Sequence, residues 1–221
     1  MTKNKRVNPE EYDEEYFERG ISSGKSGYQD YHWMPERTIK FAHKIIKELN
    51  LREGDKILDY GCAKGFVTKA FRILDIDAWG CDISKYAIDN VDKEVKEYCS
   101  LMEDGKIPYN FKFKWIVAKD VFEHLSENQL EKVLRDAKEK AENIFVVVPL
   151  GDGKKYIVPQ YEDDVTHVLR EPREWWENKF ESENWKVDRF SYLVNGMKDN
   201  WAHYEKGNGF FFLSKNNPLS K

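Results

Sequence analysis

The stretch Lys56-Ile57-Leu58-Asp59-Tyr60-Gly61-Cys62-Ala63-Lys64-Gly65 decides the fold. Ile57 and Leu58 read as a short buried strand, with Asp59 near its end. Gly61, Ala63 and Gly65 form a small-residue turn whose backbone can pass close to a ligand before a helix opens at about Phe66. Further on, a second strand, Ala78-Trp79-Gly80-Cys81, ends in Asp82, at about the spacing where open α/β sheets place an acid for a ribose hydroxyl pair. The pattern is a cradle for a nucleotide-bearing ligand. Acids on two neighbouring strand ends make it more specific than a glycine run alone.

Outward from this unit the alternation of strand and helix continues. Pro35 starts a helix to about Asn50 that brings Ile39, Ala42, His43, Ile46 and Leu49 near one face. A helix runs from about Phe66 to Leu74, a strand from about Asp77 to Cys81, and Ser84 caps the next helix. Residues 96–101 read as a short third strand. Lys114 to Ala118 is a clearer fourth, and it delivers the segment Lys119 to His124 onto the carboxyl edge of the sheet, where such folds bind ligands. Ser126 opens a charged amphipathic helix to about Ala141, and Ile144 to Val148 forms a fifth strand stopped by Pro149. A long connection through Gly151, Gly153, Pro159, Glu162, Asp163 and Asp164 follows, of a length that usually carries function. A helix from about Pro172 to Ser182 and strands near Lys186–Val194 and Phe210–Ser214 finish the chain.

The 221 residues, 40 % of them hydrophobic, suffice for one core of ordinary size, so a single domain is expected over 35–221, preceded by an aromatic arm or cap over 1–34. With 36 basic and 40 acidic residues the net charge is −4, which gives no global attraction to nucleic acid or an anionic membrane. Lys3, Lys5 and Arg6 offer only a faint local basic patch. Cys62, Cys81 and Cys99 show no paired spacing and no signal peptide precedes them, so reduced structural thiols in a cytoplasmic protein are expected. No apolar run approaches the ~20 residues that cross a bilayer. Ser22-Ser23-Gly24-Lys25-Ser26 is not a phosphate loop, because the glycine spacing is one residue short and no strand precedes it.

The acid followed by small residues at alternate positions, Asp59, Gly61, Ala63 and Gly65, resembles the first motif of class I S-adenosylmethionine (SAM) dependent methyltransferases of the small-molecule, type 11-like group. Asp82 and the segment Lys119 to Leu125 extend the likeness, which covers roughly residues 50–215; Ala63 departs from the usual glycine. The resemblance implies a doubly wound, mostly parallel seven-stranded sheet in the order 3-2-1-4-5-7-6 with the last strand antiparallel. It implies SAM as cofactor, S-adenosylhomocysteine as product, and methyl transfer to an acceptor. On the same footing, Asp59, Tyr60, Gly61, Cys62, Ala63 and Gly65 approach the methionine part, Asp82 accepts from both ribose hydroxyls and Ile83 packs on adenine. Glu103 or Asp104 would reach the adenine amine, and the backbone of Lys119 and Asp120 would line the methionine site. A nicotinamide dinucleotide fits less well, since the third small residue comes one position early and the acid Asp59 would face a diphosphate.

Two histidines are candidate catalytic residues. An acceptor hydroxyl attacking the sulfonium methyl loses a proton, and His124 could take it. His167, in Asp163-Asp164-Val165-Thr166-His167, lies in the long loop where an acceptor could be held, with Asp164 orienting the imidazole. Tyr31, His32 and Asp164 are expected on the substrate side. A histidine and a neighbouring aspartate do not make a metal site, and no metal is assigned. The expected acceptor is a small polar molecule, a hydroxyl of a sugar or glycan unit or of a natural product. A small amine, RNA or protein acceptor and a silent SAM-binding module are the alternatives.

Overall fold

A computed structural model describes residues 8–216; Lys3, Lys5 and Arg6 lie outside them. Seven strands form one sheet: β1 (Lys56–Tyr60), β2 (Asp77–Asp82), β3 (Cys99–Leu101), β4 (Phe113–Lys119), β5 (Ala141–Pro149), β6 (Trp185–Ser191) and β7 (Asn208–Lys215). Their order is β3-β2-β1-β4-β5-β7-β6, with β7 antiparallel to both of its neighbours. This is the expected order. The helices are α1 (Glu14–Glu18), α2 (Gly20–Ser23), α3 (Pro35–Glu48), α4 (Phe66–Ile73), α5 (Lys85–Asp89), α6 (Glu127–Lys140) and α7 (Arg173–Ser182). The third strand is shorter than its sequence suggests, because Lys96–Tyr98 turns as a 3-10 helix and only Cys99–Leu101 pairs with β2.

The central strands are mostly apolar because both faces are covered, and the period of two sorts their side chains between two cores. Leu58, Ile116, Ala118, Ile144, Val146 and Val148 join Leu130, Val133 and Leu134 of α6 and Trp176 and Phe180 of α7. Ile57, Val117, Phe145 and Val147 face Ala42 and Ile45 of α3 and Ala70 and Phe71 of α4. Truncating a buried aromatic such as Phe145 to alanine would cost about 3–5 kcal/mol. α6 starts where the sequence places it, through a reciprocal cap between Ser126 and Gln129.

The N-terminal arm is not extended. Tyr16 and Phe17 are buried on α1 and pack with Tyr12, Tyr28, Tyr31, Ala63 and Ala87 over the carboxyl edge of the sheet. Hydrogen bonds and an ion pair to the rest of the chain pin the arm down. Ser84 Oγ donates to the Tyr12 carbonyl (2.5 Å) and the Tyr16 hydroxyl to Asp164 Oδ2 (2.8 Å). The Val165 N–H donates to the Lys25 carbonyl (3.2 Å), and Lys64 pairs with Glu18. No helix of the described residues is long and apolar enough to cross a membrane.

Candidate active site

Between the arm and the strand ends lies a cavity of about 800 Å3, open solvent included. Tyr60, Gly61 and Ala63 from the first turn, Asp82 and Ile83 from the end of β2, and Met102, Asp104 and Gly105 after β3 line one part of it. Asp120, Val121, His124 and Leu125 after β4, with Gln129 and Val133 of α6, line another, and Tyr12, Tyr16, Phe17 and Tyr28 of the arm roof it.

The turn after β1 is built for close approach. Gly61 has φ +80°, and a Cβ there would lie 2.4 Å from Val121 Cγ2. Ala63 also takes a left-handed φ of +49°, strained for an L-residue by about 1–2 kcal/mol. It is held there by its N–H, which donates to Asp82 Oδ2 (2.7 Å), while the Ser84 N–H donates to Asp82 Oδ1 (2.7 Å). Burial raises the Asp82 pKa, and those backbone N–H groups pull it back only in part. One carboxylate therefore ties the two strand-end loops together at the rim of the cavity.

Asp59 sits beneath the turn, 7 % exposed, and accepts from the Thr68 hydroxyl (2.9 Å). Burial, with a further push from the Asp82 charge, raises its pKa to about 7 against the bond from Thr68. Asp59 does not line the cavity, and neither do Cys62 or Gly65, which pack inward toward Val91, Val95 and Cys99. Several expected positions also fall elsewhere. Glu103 is exposed, and its neighbour Asp104 lines the cavity instead. Lys119 pairs with Asp120 and lies over the Phe41 ring, away from the lining. Tyr31 packs its ring on Phe17, Tyr28 and Phe66, and His32 is an exposed residue whose ring faces Asp30. Neither reaches the cavity, because the chain has already turned out toward α3. The tyrosines of the arm that do line the cavity are Tyr12, Tyr16 and Tyr28.

Asp120 takes a left-handed φ of +55° and is ion-paired with both Lys119 and the buried Lys198. Burial alone would raise its pKa, but the two ammonium groups outweigh it and hold the carboxyl well below the usual range. Beyond it, Phe122–His124 forms a 3-10 turn, and the Glu123 carbonyl accepts from the N–H groups of Val168 (2.8 Å) and Leu169 (2.9 Å). That pairing brings the two expected histidines together, with ring centroids 4.6 Å apart.

The hydrogen bonds fix both imidazole tautomers. The Thr166 hydroxyl donates to Asp164 Oδ1 (2.5 Å), so His124 Nδ1, 2.8 Å from Thr166 Oγ1, carries the proton and donates to it. His167 Nδ1 lies 2.6 Å from the Tyr161 carbonyl, which can only accept, so Nδ1 is again the protonated nitrogen. Both rings thus keep a lone pair on Nε2. Burial lowers the pKa of His124, and burial with the adjacent His124 takes His167 to about 3, so both are neutral at ordinary pH. Asp164 stands behind this pair as a bridge to the arm through Tyr16 and does not line the cavity. Burial works against its charge, yet His124, His167 and Thr166 keep its pKa low. Glu123 is 1 % exposed, its Oε2 has no hydrogen-bond partner, and burial together with the Asp120 charge raises its pKa.

The sequence pointed to His124, His167 and Asp164 and to an aromatic cap over 1–34, but it singled out none of Glu123, Thr166, Tyr12 or Tyr16 as a site residue. The available signal was the adjacency Glu123-His124 and the spacing Asp164-x-Thr166-His167.

The fold and this strand-edge cavity define the class of SAM-dependent methyltransferases. A family model described as a methyltransferase domain matches residues 31–193, and the chain belongs to that family. Its methyl donor is SAM, and the cavity fits it, with a turn stripped of side chain at Gly61, an acid at the end of β2 and apolar residues beside it. The chain is 22 % identical over 231 residues to the mitochondrial ubiquinone biosynthesis O-methyltransferase of Schizosaccharomyces pombe, a match spanning 86 % of this chain and 78 % of that protein. Among solved structures it resembles a SAM-dependent methyltransferase from Clostridium acetobutylicum (TM-score 0.61, 12 % identity, 83 % of this chain and 93 % of the other). It also resembles one from Archaeoglobus fulgidus (TM-score 0.61, 16 % identity, 82 % and 95 %). At these identities the structural likeness speaks for the fold.

Proposed function

We propose that the protein transfers the methyl group of SAM to a hydroxyl oxygen of a small acceptor held beneath the tyrosine roof. The observation that carries this reading is the relay Asp164–Thr166–His124, which holds the Nδ1 proton and leaves Nε2 unprotonated on a residue that lines the cavity. A ring fixed in that form offers a lone pair to an acceptor that arrives as a proton donor. Bound in the cavity, SAM supplies an electrophilic sulfonium methyl. The O–CH3 bond forms as the CH3–S bond breaks, its electron pair passes to sulfur, and the acceptor proton leaves on the side of His124 and His167.

In this reading Asp82 takes the hydrogens of the ribose hydroxyls, Ile83 and Met102 flank the adenine, and Asp104 stands near its amine. Gly61 and the backbone at Asp120 border the methionine part. Residues 8–34 act as a cap, and Tyr12, Tyr16, Phe17 and Tyr28 enclose the acceptor and exclude water. The curated relative, by its name an O-methyltransferase, supports oxygen over nitrogen. The test is incubation with methyl-labelled SAM and a panel of small phenols, sugars and natural-product alcohols beside amines and RNA, with products identified by mass spectrometry. Label on hydroxyl compounds supports the reading, whereas label only on amines or RNA overturns it.

A further inference from the structure

We propose that Glu123, His124 and His167 bind a divalent first-row transition cation at the acceptor side of the cavity, and that this cation takes the acceptor's oxygen. The inference rests on the O-methyl-transfer reading and specifies what the imidazole lone pairs do. One ligating atom from each of the three residues lies within 4.8 Å of the others. Ligands bonded to one cation at ~2.1 Å stand at most about 4.2 Å apart, so the group closes around an ion with about half an ångström of movement.

Three features distinguish the cluster from a chance meeting of polar residues. Each histidine donates its Nδ1 proton to a fixed oxygen, Thr166 Oγ1 for His124 and the Tyr161 carbonyl for His167. That outer support is what aims Nε2 of a metal-bound imidazole. Glu123 Oε2 is buried without a hydrogen-bond partner, a costly state for a polar oxygen that a cation would relieve. The nearby lysines do not fill the role, because Lys119 and Lys198 are both engaged by Asp120, and with Asp164 and Glu123 added the acids around the site outnumber the bases. Two imidazoles and one carboxylate favour zinc, manganese, iron or cobalt over magnesium or calcium, which prefer all-oxygen sites.

Three protein ligands leave positions open for substrate. His124 lines the cavity, so an open position can face the acceptor. A hydroxyl on the cation becomes a stronger acid and releases its proton to water. Its oxygen then forms the bond to the methyl carbon while the methyl–sulfur bond breaks and leaves its electron pair on sulfur. With the cation bound, the imidazole lone pairs are taken up as ligands, so the acceptor's proton passes to water in place of an imidazole.

The test uses untagged protein freed of metal with a chelator and titrated with Co2+, followed by visible absorption and calorimetry, for the intact chain and for Glu123→Gln and His167→Gln. S-Adenosylhomocysteine binding is measured on each. The expected result is one Co2+ per chain with an absorption spectrum of imidazole coordination, and an affinity about tenfold or more weaker in either variant. S-Adenosylhomocysteine affinity should stay within about twofold, showing that both variants are folded. Absence of Co2+ binding by the intact protein, or equal binding by both variants, would overturn the cation site. Normal Co2+ binding without S-adenosylhomocysteine binding would instead remove the methyl-transfer reading and leave the site standing.

Discussion

Asp82→Asn separates bracing of the fold from binding of the cofactor. Each Asp82 oxygen accepts one backbone N–H, from Ala63 and from Ser84, both at 2.7 Å. The amide keeps the shape but has one accepting oxygen, so its NH2 must face one of those N–H groups. A bond to a charged acceptor contributes about 1.5–3 kcal/mol, and losing one should destabilise the free protein by about 2 kcal/mol. In a domain of this size each kcal/mol moves Tm by about 2–4 °C, so scanning calorimetry should show a fall of about 4–8 °C. The proposed ribose contact is weakened by the same change, and the Kd for S-adenosylhomocysteine should rise about ten- to a hundredfold. An unchanged Tm would refute the bracing argument, and an unchanged Kd would remove the ribose role.

Gly61→Ala should cost at least about 2 kcal/mol, from φ +80° and from the 2.4 Å approach to Val121. Adding Val121→Ala should restore the part due to the clash but not the part due to φ, as read from denaturant unfolding. Asp59, raised to about 7 by burial, keeps a proton in the folded state that the unfolded chain has already lost. Stability should therefore fall as pH rises from about 4 to 7, by up to about 4 kcal/mol, and level off above. Asp59→Asn keeps an acceptor for Thr68 and should flatten that slope in a series of melts against pH; a slope equal to the parent's would contradict the assignment. Thr166→Val removes the oxygen that orients His124 and should lower turnover on the order of 10–100-fold with little effect on S-adenosylhomocysteine affinity. Loss of both together would show a structural role instead.

The central strands and their order were legible because their signals are local. Ile57, Ile116 and Val146 sit in apolar runs bounded by clear turns, and short connections leave few topologies. β3 was overdrawn because it is an edge strand of only three residues, and the 3-10 turn before it has similar composition. Motif position also proved a poor guide to which side chains face the cavity. Asp59 is in the first motif yet points beneath it, because the strand's alternation puts Tyr60 on the side with Phe122 and Asp59 on the side with Thr68. The aromatic cap was legible, but the particular contacts of Tyr12 and Tyr16 were not, for a different reason. Their contacts with Ser84 and Asp164 span most of the chain, and no local pattern in a polar aromatic arm announces them. Thr166 was invisible until Glu123 drew the loop at Val168 against the turn after β4.

The measurement that bears most directly on the central claim is calorimetric titration of the intact protein with S-adenosylhomocysteine, run beside NAD and repeated on Asp82→Asn. The account predicts binding near the micromolar range, about −8 kcal/mol, that is weakened by the substitution and absent for NAD. Binding of NAD with none of S-adenosylhomocysteine, or S-adenosylhomocysteine binding indifferent to Asp82, would contradict it.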